Sequence, residues 1–124
     1  MKIARLFDDI DPSGTPIIES RRKITDSATK ERILGFLRGG AVILAANGKS
    51  VDMIDATNGK VVPRVYKTDG AWIWTAAARY YLEKYDIAPE DEFLLYIASH
   101  GYQASTPDPD MRHQAYVELT NRSK

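Results

Sequence analysis

The stretch TDGAWIWTAAARYYLEKY, residues 68–85, constrains the fold more than any other part of the chain. It places two tryptophans, three tyrosines and four alanines in eighteen positions. Trp72 and Trp74 are two apart, so on a strand both indoles leave the same side of the sheet. Directly after them Ala77, Ala78, Tyr81, Leu82 and Tyr85 recur at the spacing of one helical face, with Arg79, Glu83 and Lys84 opposite. A strand that runs straight into a half-buried helix folds that helix back onto the sheet. The simplest packing sets the tryptophans against Tyr81 and Tyr85, with hydroxyl and indole N–H groups near the rim. The rings are therefore assigned to the core, ahead of a partner surface or a stacking slot. Tyr80 and Tyr96 lie beside the apolar stripes and are the rings expected to stay partly exposed, as candidate partner contacts.

The remaining elements follow from turn and cap chemistry. Residues 2–7 read as a short strand, 8–16 as a loop dense in turn formers, and Ile17 with Ile18 as a second short strand. Asp26 or Ser27 can cap a helix over about 27–38 that carries Ile33, Leu34 and Leu37 on one face and stops at Gly39 or Gly40. Residues 41–46 form a short apolar strand, Asn47-Gly48 suits a tight hairpin, and a partner strand is expected over 51–56. A second such pair, Asn58-Gly59, leads into a strand over 61–67, where Pro63 marks an unpaired side. The turn Thr68-Asp69-Gly70 feeds the tryptophan strand. Pro89 suits a first helical position, Glu90, Asp91 and Glu92 meet the positive end of that helix, and Gly101 follows His100 as its stop. Its apolar face is Phe93, Leu94, Ile97 and Ala98. For residues 111–119 a last short helix and an edge strand both remain open. The expected fold is α+β: an antiparallel β-meander of three to five strands packed against two to four helices, in one domain spanning residues 1–124.

Composition narrows the function. Lys plus Arg and Asp plus Glu number 17 each, so the broad attraction that drives non-specific nucleic-acid binding is missing and nucleic acid is disfavoured as a partner. The absence of cysteine removes disulfides, thiolate nucleophiles and sulfur-ligated zinc, which suits a reducing compartment. The N-terminus lacks the continuous apolar region of a signal peptide, and the longest apolar run, 41–46, is too short to cross a bilayer. A cytoplasmic protein without a membrane partner is expected.

Chemical motifs are sparse. Asn47-Gly48-Lys49-Ser50 contains the end of a phosphate-binding loop, but such a loop needs glycine where this chain has Ile43. The two histidines, His100 and His113, could act as an acid–base pair, yet His100 is explained as a cation at a helix C-terminus. Asp108, Asp110 and the run Glu90, Asp91, Glu92 lack a calcium-loop pattern, and turn or helix-start roles explain them better. No nucleophile-elbow sequence frames a serine. Arg21, Arg22 and Lys23 form the one basic concentration, read first as a solvated face. No catalytic residue, metal ligand or cofactor is assigned. Residues 1–40 carry 8 basic and 6 acidic side chains, whereas 41–124 carry 9 and 11. Asp86, Glu90, Asp91 and Glu92 could thus form a local negative patch that steers a basic protein partner.

In order along the chain stand the Thr68-Asp69-Gly70 turn, Trp72 and Trp74, Tyr80-Tyr81-Leu82, Pro89 and Gly101-Tyr102. This order over residues 68–102 resembles small bacterial cytosolic proteins, actinobacterial ones especially, some of which belong to toxin–immunity systems. The resemblance implies a non-enzymatic protein that binds and neutralises a cognate toxin, and it assigns no binding residue. Two other readings stand beside it. One is a small nucleic-acid-acting regulator or enzyme using His100 and His113 or the basic stretch Arg21, Arg22, Lys23; the other is a protein acting through self-association.

Overall fold

The computed structural model describes residues 1–7, 9–18 and 21–122. Its longest early helix, α1 (Ser27–Arg38), begins where the Asp26 carboxylate accepts from the Thr29 amide at 2.8 Å and the Thr29 hydroxyl at 2.7 Å. Those two bonds satisfy a free amide of the first turn and fix the start of the helix. Ile33, Leu34, Phe36 and Leu37 form its buried face. Gly40, not Gly39, takes the left-handed conformation after it, with φ +72°. A Cβ at Gly40 would sit 2.5 Å from the Thr68 carbonyl oxygen and 3.0 Å from the Trp74 ring, so only glycine lets the two backbones approach.

Four strands make the main sheet in the order β1 (Lys2–Ile3), β6 (Trp72–Thr75), β5 (Lys60–Thr68) and β4 (Ala41–Val51). A two-residue ladder of β2 (Asp9–Ile10) and β3 (Pro16–Ile17) lies apart from it, closed by the Asp11 carboxylate, which accepts from the Ser13 and Thr15 amides. The loop expected over 8–16 is thus a small hairpin, and its first residue lies outside the described residues. Strands β4, β5 and β6 are the expected antiparallel meander. Strand β1 is not part of it: Lys2 stands opposite Trp72 and Ile3 opposite Ile73 in a parallel pair, so the sheet is mixed. Turn residues specify only strands adjacent in the chain, and β1 returns to the sheet from the far end of a long connection, which permits the parallel direction.

Asn47-Gly48 does not turn a hairpin. β4 runs through it, and Ala45 pairs with Val65 while Lys49 pairs with Pro63, leaving three residues of β4 opposite Arg64 alone. Gly48, at φ +75°, supplies the backbone angle for a bulge, the other structure that an Asn-Gly pair suits. The Arg64 Nη1 donates to the Asn47 carbonyl at 3.1 Å across it. The hairpin instead reverses between Asp52 and Gly59 through a 3-10 turn, Ala56–Asn58, where a strand over 51–56 had been expected. Pro63 lies beyond Tyr66, the last β5 residue paired to β6, so there the strand has β4 on one side only.

Helices α2 (Ala77–Tyr85), α3 (Asp91–Ser99) and α4 (Pro109–Arg122) complete the α+β fold. Residues 111–119 are therefore helical. Trp72 and Trp74 are buried, as their assignment to the core requires, but their neighbours are not Tyr81 and Tyr85. Trp72 stacks on Phe93 at 4.8 Å between ring centres, Trp74 lies 5.3 Å from Phe36 and 5.7 Å from Phe93, and the Trp74 Nε1 donates to the Leu37 carbonyl at 3.0 Å. From α2, Leu82 joins this cluster and Ala78 packs against it. Tyr81 packs with Phe7, Val62 and Ala77 in a second one. The apolar stripe of α2 is wide enough to serve both, and α1 and α3 had already filled the space over the indoles. On the opposite side of the sheet Ile73 packs under Ala115 and Leu119 of α4.

Candidate functional site

Of the acids read from sequence as a patch, Glu90, Asp91 and Glu92 stand at the start of α3 and Asp86 at the end of α2, and each is met by a cation. Arg5 Nε lies 2.9 Å from Glu90 Oε2 and Arg22 Nε 2.9 Å from Asp91 Oδ1. Lys2 pairs with Glu92, and Lys30 with Asp86 at the left-handed C-cap of α2. The excess positive charge of the N-terminal third is folded against the excess negative charge of the rest. The local patch is a row of ion pairs rather than a bare negative field. The two pairs exposed on both sides, Lys2 with Glu92 and Arg22 with Asp91, contribute about 0–1 kcal/mol each, so they add little to the fold and exchange readily. Within the row stands Leu95, the most exposed large apolar residue described, at 73%. Asp91 and Glu92 precede Leu95 by four and three positions and share its outward face.

Tyr80 and Tyr96 are half-buried, and each hydroxyl is held by a carboxylate. Tyr80 donates to Asp52 Oδ2 at 2.6 Å and Tyr96 to Asp69 Oδ2 at 2.5 Å. Asp52 is fully buried and accepts five bonds: from the Ile54 and Asp55 amides, the Asn58 amide group, and the Tyr80 and Tyr85 hydroxyls. Burial alone would raise its carboxyl, but the bonds from Tyr80, Tyr85, Asp55 and Asn58 outweigh it and hold the group well below the usual carboxylate range. The Asp52 bond raises the Tyr80 hydroxyl, with burial adding to it. Burial and the same carboxylate push Tyr85 up to about 12, and burial with the Asp69 bond raises Tyr96. These tyrosines tie α2 to the β4–β5 turn and α3 to the β5–β6 turn. Neither buried aspartate was singled out by sequence. The available signal was an aspartate opening each turn, at Asp52 and Asp69.

The residues of the alternative chemistry are engaged elsewhere. His100 Nδ1 lies 3.0 Å from both the Ser99 hydroxyl and the Tyr96 carbonyl, with its ring 4.1 Å from that of Tyr96. His113 is on α4, in a shallow depression with Val42, Ile43 and Tyr116. The structure does not bring the two together in one cavity. Arg21 is buried and donates to the Arg5 and Leu6 carbonyls, Arg22 holds Asp91, and Lys23 donates to the Tyr85 carbonyl. Asp108 caps α4 through the Met111 amide. Among the described residues no group of three or more His, Asp or Glu is placed to hold a metal ion. No helix among them is long and apolar enough to cross a membrane.

A wide opening lies on the Ile73 side of the sheet. α4 covers that face as far as Leu119, and beyond it a cavity of about 460 Å³ opens between β1, the β4–β5 hairpin and Tyr81. Comparison with known proteins finds no match: no protein-family model, curated protein or solved structure is similar to this chain at a significant level.

Proposed function

We propose that this protein acts by binding another protein, as an immunity-type partner that covers and neutralises a cognate toxin in the cytoplasm. The observation that carries the reading is the outward face of α3, where Leu95 stands 73% exposed beside Asp91 and Glu92. An apolar side chain beside exchangeable charge offers a partner both a desolvated anchor and steering. Basic side chains of a toxin can take over Asp91 and Glu92 from Arg22 and Lys2 at little cost, because those exposed pairs are weak. Asp86, Glu90, Tyr80 and Tyr96 then serve mainly to fix the helices that present this face.

The test is co-expression with the product of the adjacent gene. A one-to-one complex and protection of the host are expected. The double variant Leu95→Asp, Glu92→Lys keeps its fold, since surface changes of this kind cost about 0.5 kcal/mol or less, and loses about tenfold or more in affinity. Full affinity in that folded variant removes α3 as the interface, and the absence of any complex or protection removes the reading itself.

A further inference from the structure

The cavity on the Ile73 side of the sheet carries a separate inference. Its floor is apolar and well ordered by packing: Val62 and Tyr81 are buried there, with Pro63, Ala77 and Leu119 around them. Its rim is apolar too, although it faces water. Leu44, Val51 and Met53 line the opening while 38–41% exposed. At about 460 Å³ the cavity is within the range of about 300–1,000 Å³ typical of small-molecule sites. One cation lines it. Arg64 stands opposite the β4 bulge, is exposed, and uses Nη1 on the Asn47 carbonyl. Among the described residues no carboxylate pairs with it, in contrast to Arg5, Arg22 and Arg38.

We propose that this cavity binds a single-chain aliphatic carboxylate, its hydrocarbon chain lying over Val62 and Tyr81 between the hairpin and Leu119, its carboxylate on the Arg64 guanidinium. An aliphatic chain suits walls made mostly of apolar side chains, and its burial removes Leu44, Val51 and Met53 from water. A guanidinium presents paired N–H groups that match the two oxygens of a carboxylate, and Arg64 has donors left after its bond to Asn47. The other polar groups among the lining side chains are the hydroxyls of Ser50, Tyr66, Thr75 and Tyr81, all uncharged, so charge recognition falls to Arg64.

Calorimetric titration of the full chain with octanoate, decanoate, dodecanoate and dodecanol tests this directly. Dodecanoate binds saturably at one site, and affinity rises about fourfold for each methylene added along the series. Arg64→Gln weakens dodecanoate about tenfold or more and leaves dodecanol unchanged. Ala46→Trp fills the opening and abolishes both; if it does not fold, Ser50→Phe fills the same space from the neighbouring wall. Three results overturn the proposal. The folded wild type takes up no dodecanoate below the micelle concentration, or Arg64→Gln weakens acid and alcohol alike, or sedimentation shows a dimer that Ala46→Trp dissolves, in which case a second copy fills the cavity.

Discussion

The two faces of the central sheet solve the same problem in opposite ways. On one, Trp72 and Trp74 are closed over by Phe36 of α1 and Phe93 of α3, and ring packing leaves the indoles 5% and 0% exposed. On the other, α4 covers Ile73 with Ala115 and Leu119, and past Leu119 the side chains of Leu44, Val51 and Met53 line an open cavity. Large rings fill space from three elements at once, whereas an alanine and a leucine on a single helix cover only what that helix reaches. The difference teaches that a chain this small can concentrate its packing on one side of a sheet and leave the other side available.

The largest expected effect lies on the closed face. Trp74→Ala removes a fully buried ring and its bond to the Leu37 carbonyl, and costs about 3–5 kcal/mol in urea denaturation. Trp74→Phe recovers most of the packing but not the bond, which separates the two terms. A cost of about 1 kcal/mol for Trp74→Ala contradicts the assignment of stability to this face.

Asp52 is where the open face is anchored, since it joins the end of the β4–β5 hairpin to Tyr80 and Tyr85 of α2. Asp52→Asn keeps the shape, and its carbonyl oxygen can still accept from the Ile54 and Asp55 amides, but its NH2 group then faces the Asn58, Tyr80 and Tyr85 donors that Oδ2 had accepted from. The expected cost is about 2–3 kcal/mol. The pH dependence follows from the direction of each shift. The Asp52 carboxyl is lowered in the folded protein, so its contribution is present above the unfolded value near 4 and is lost as pH falls towards the folded one. Tyr85 is raised to about 12, so its contribution is complete below about 10 and is lost as pH rises from there through about 12. Stability of Asp52→Asn measured against pH is therefore flatter than wild type at both ends. A parallel pair of curves removes Asp52 as the anchor.

Next in size comes Leu119→Ala on α4. Leu119 is 7% exposed and already borders the cavity, so its removal enlarges an existing space rather than opening a new one. About 2 kcal/mol is expected, the low end for a leucine truncation, because the lost contacts lie on one side only.

What could be read from sequence was what neighbouring residues decide. The cap at Asp26, the Thr68-Asp69-Gly70 turn and the burial of both tryptophans depend on spacings of a few residues. Asn47-Gly48 misled because a hairpin and a bulge ask for the same backbone angle, and the choice between them lies in the pairing of Lys49 with Pro63. The acids of α3 were legible as a group, but their cations come from Lys2, Arg5 and Arg22, far away in the chain. The partners of Asp52 and the cavity beside Arg64 are long-range as well. Tyr80 lies 28 residues from Asp52, and no local pattern tells where α4 stops covering the sheet.

The smallest effect is the sharpest test of the comparison. Leu44 lies opposite Tyr66 in the sheet and is 38% exposed at the cavity rim, so Leu44→Gln gives up little packing and can keep its new amide in water. The expected change in stability is within about 0.5 kcal/mol, as for an ordinary surface position. The same exchange at Ile73, on the covered half of that face, strands an amide under Ala115 and Leu119 and costs several times more. If chemical denaturation returns about 2 kcal/mol for Leu44→Gln, the rim is packed against something in solution, and the contrast between a closed and an open face fails at the point where the cavity begins.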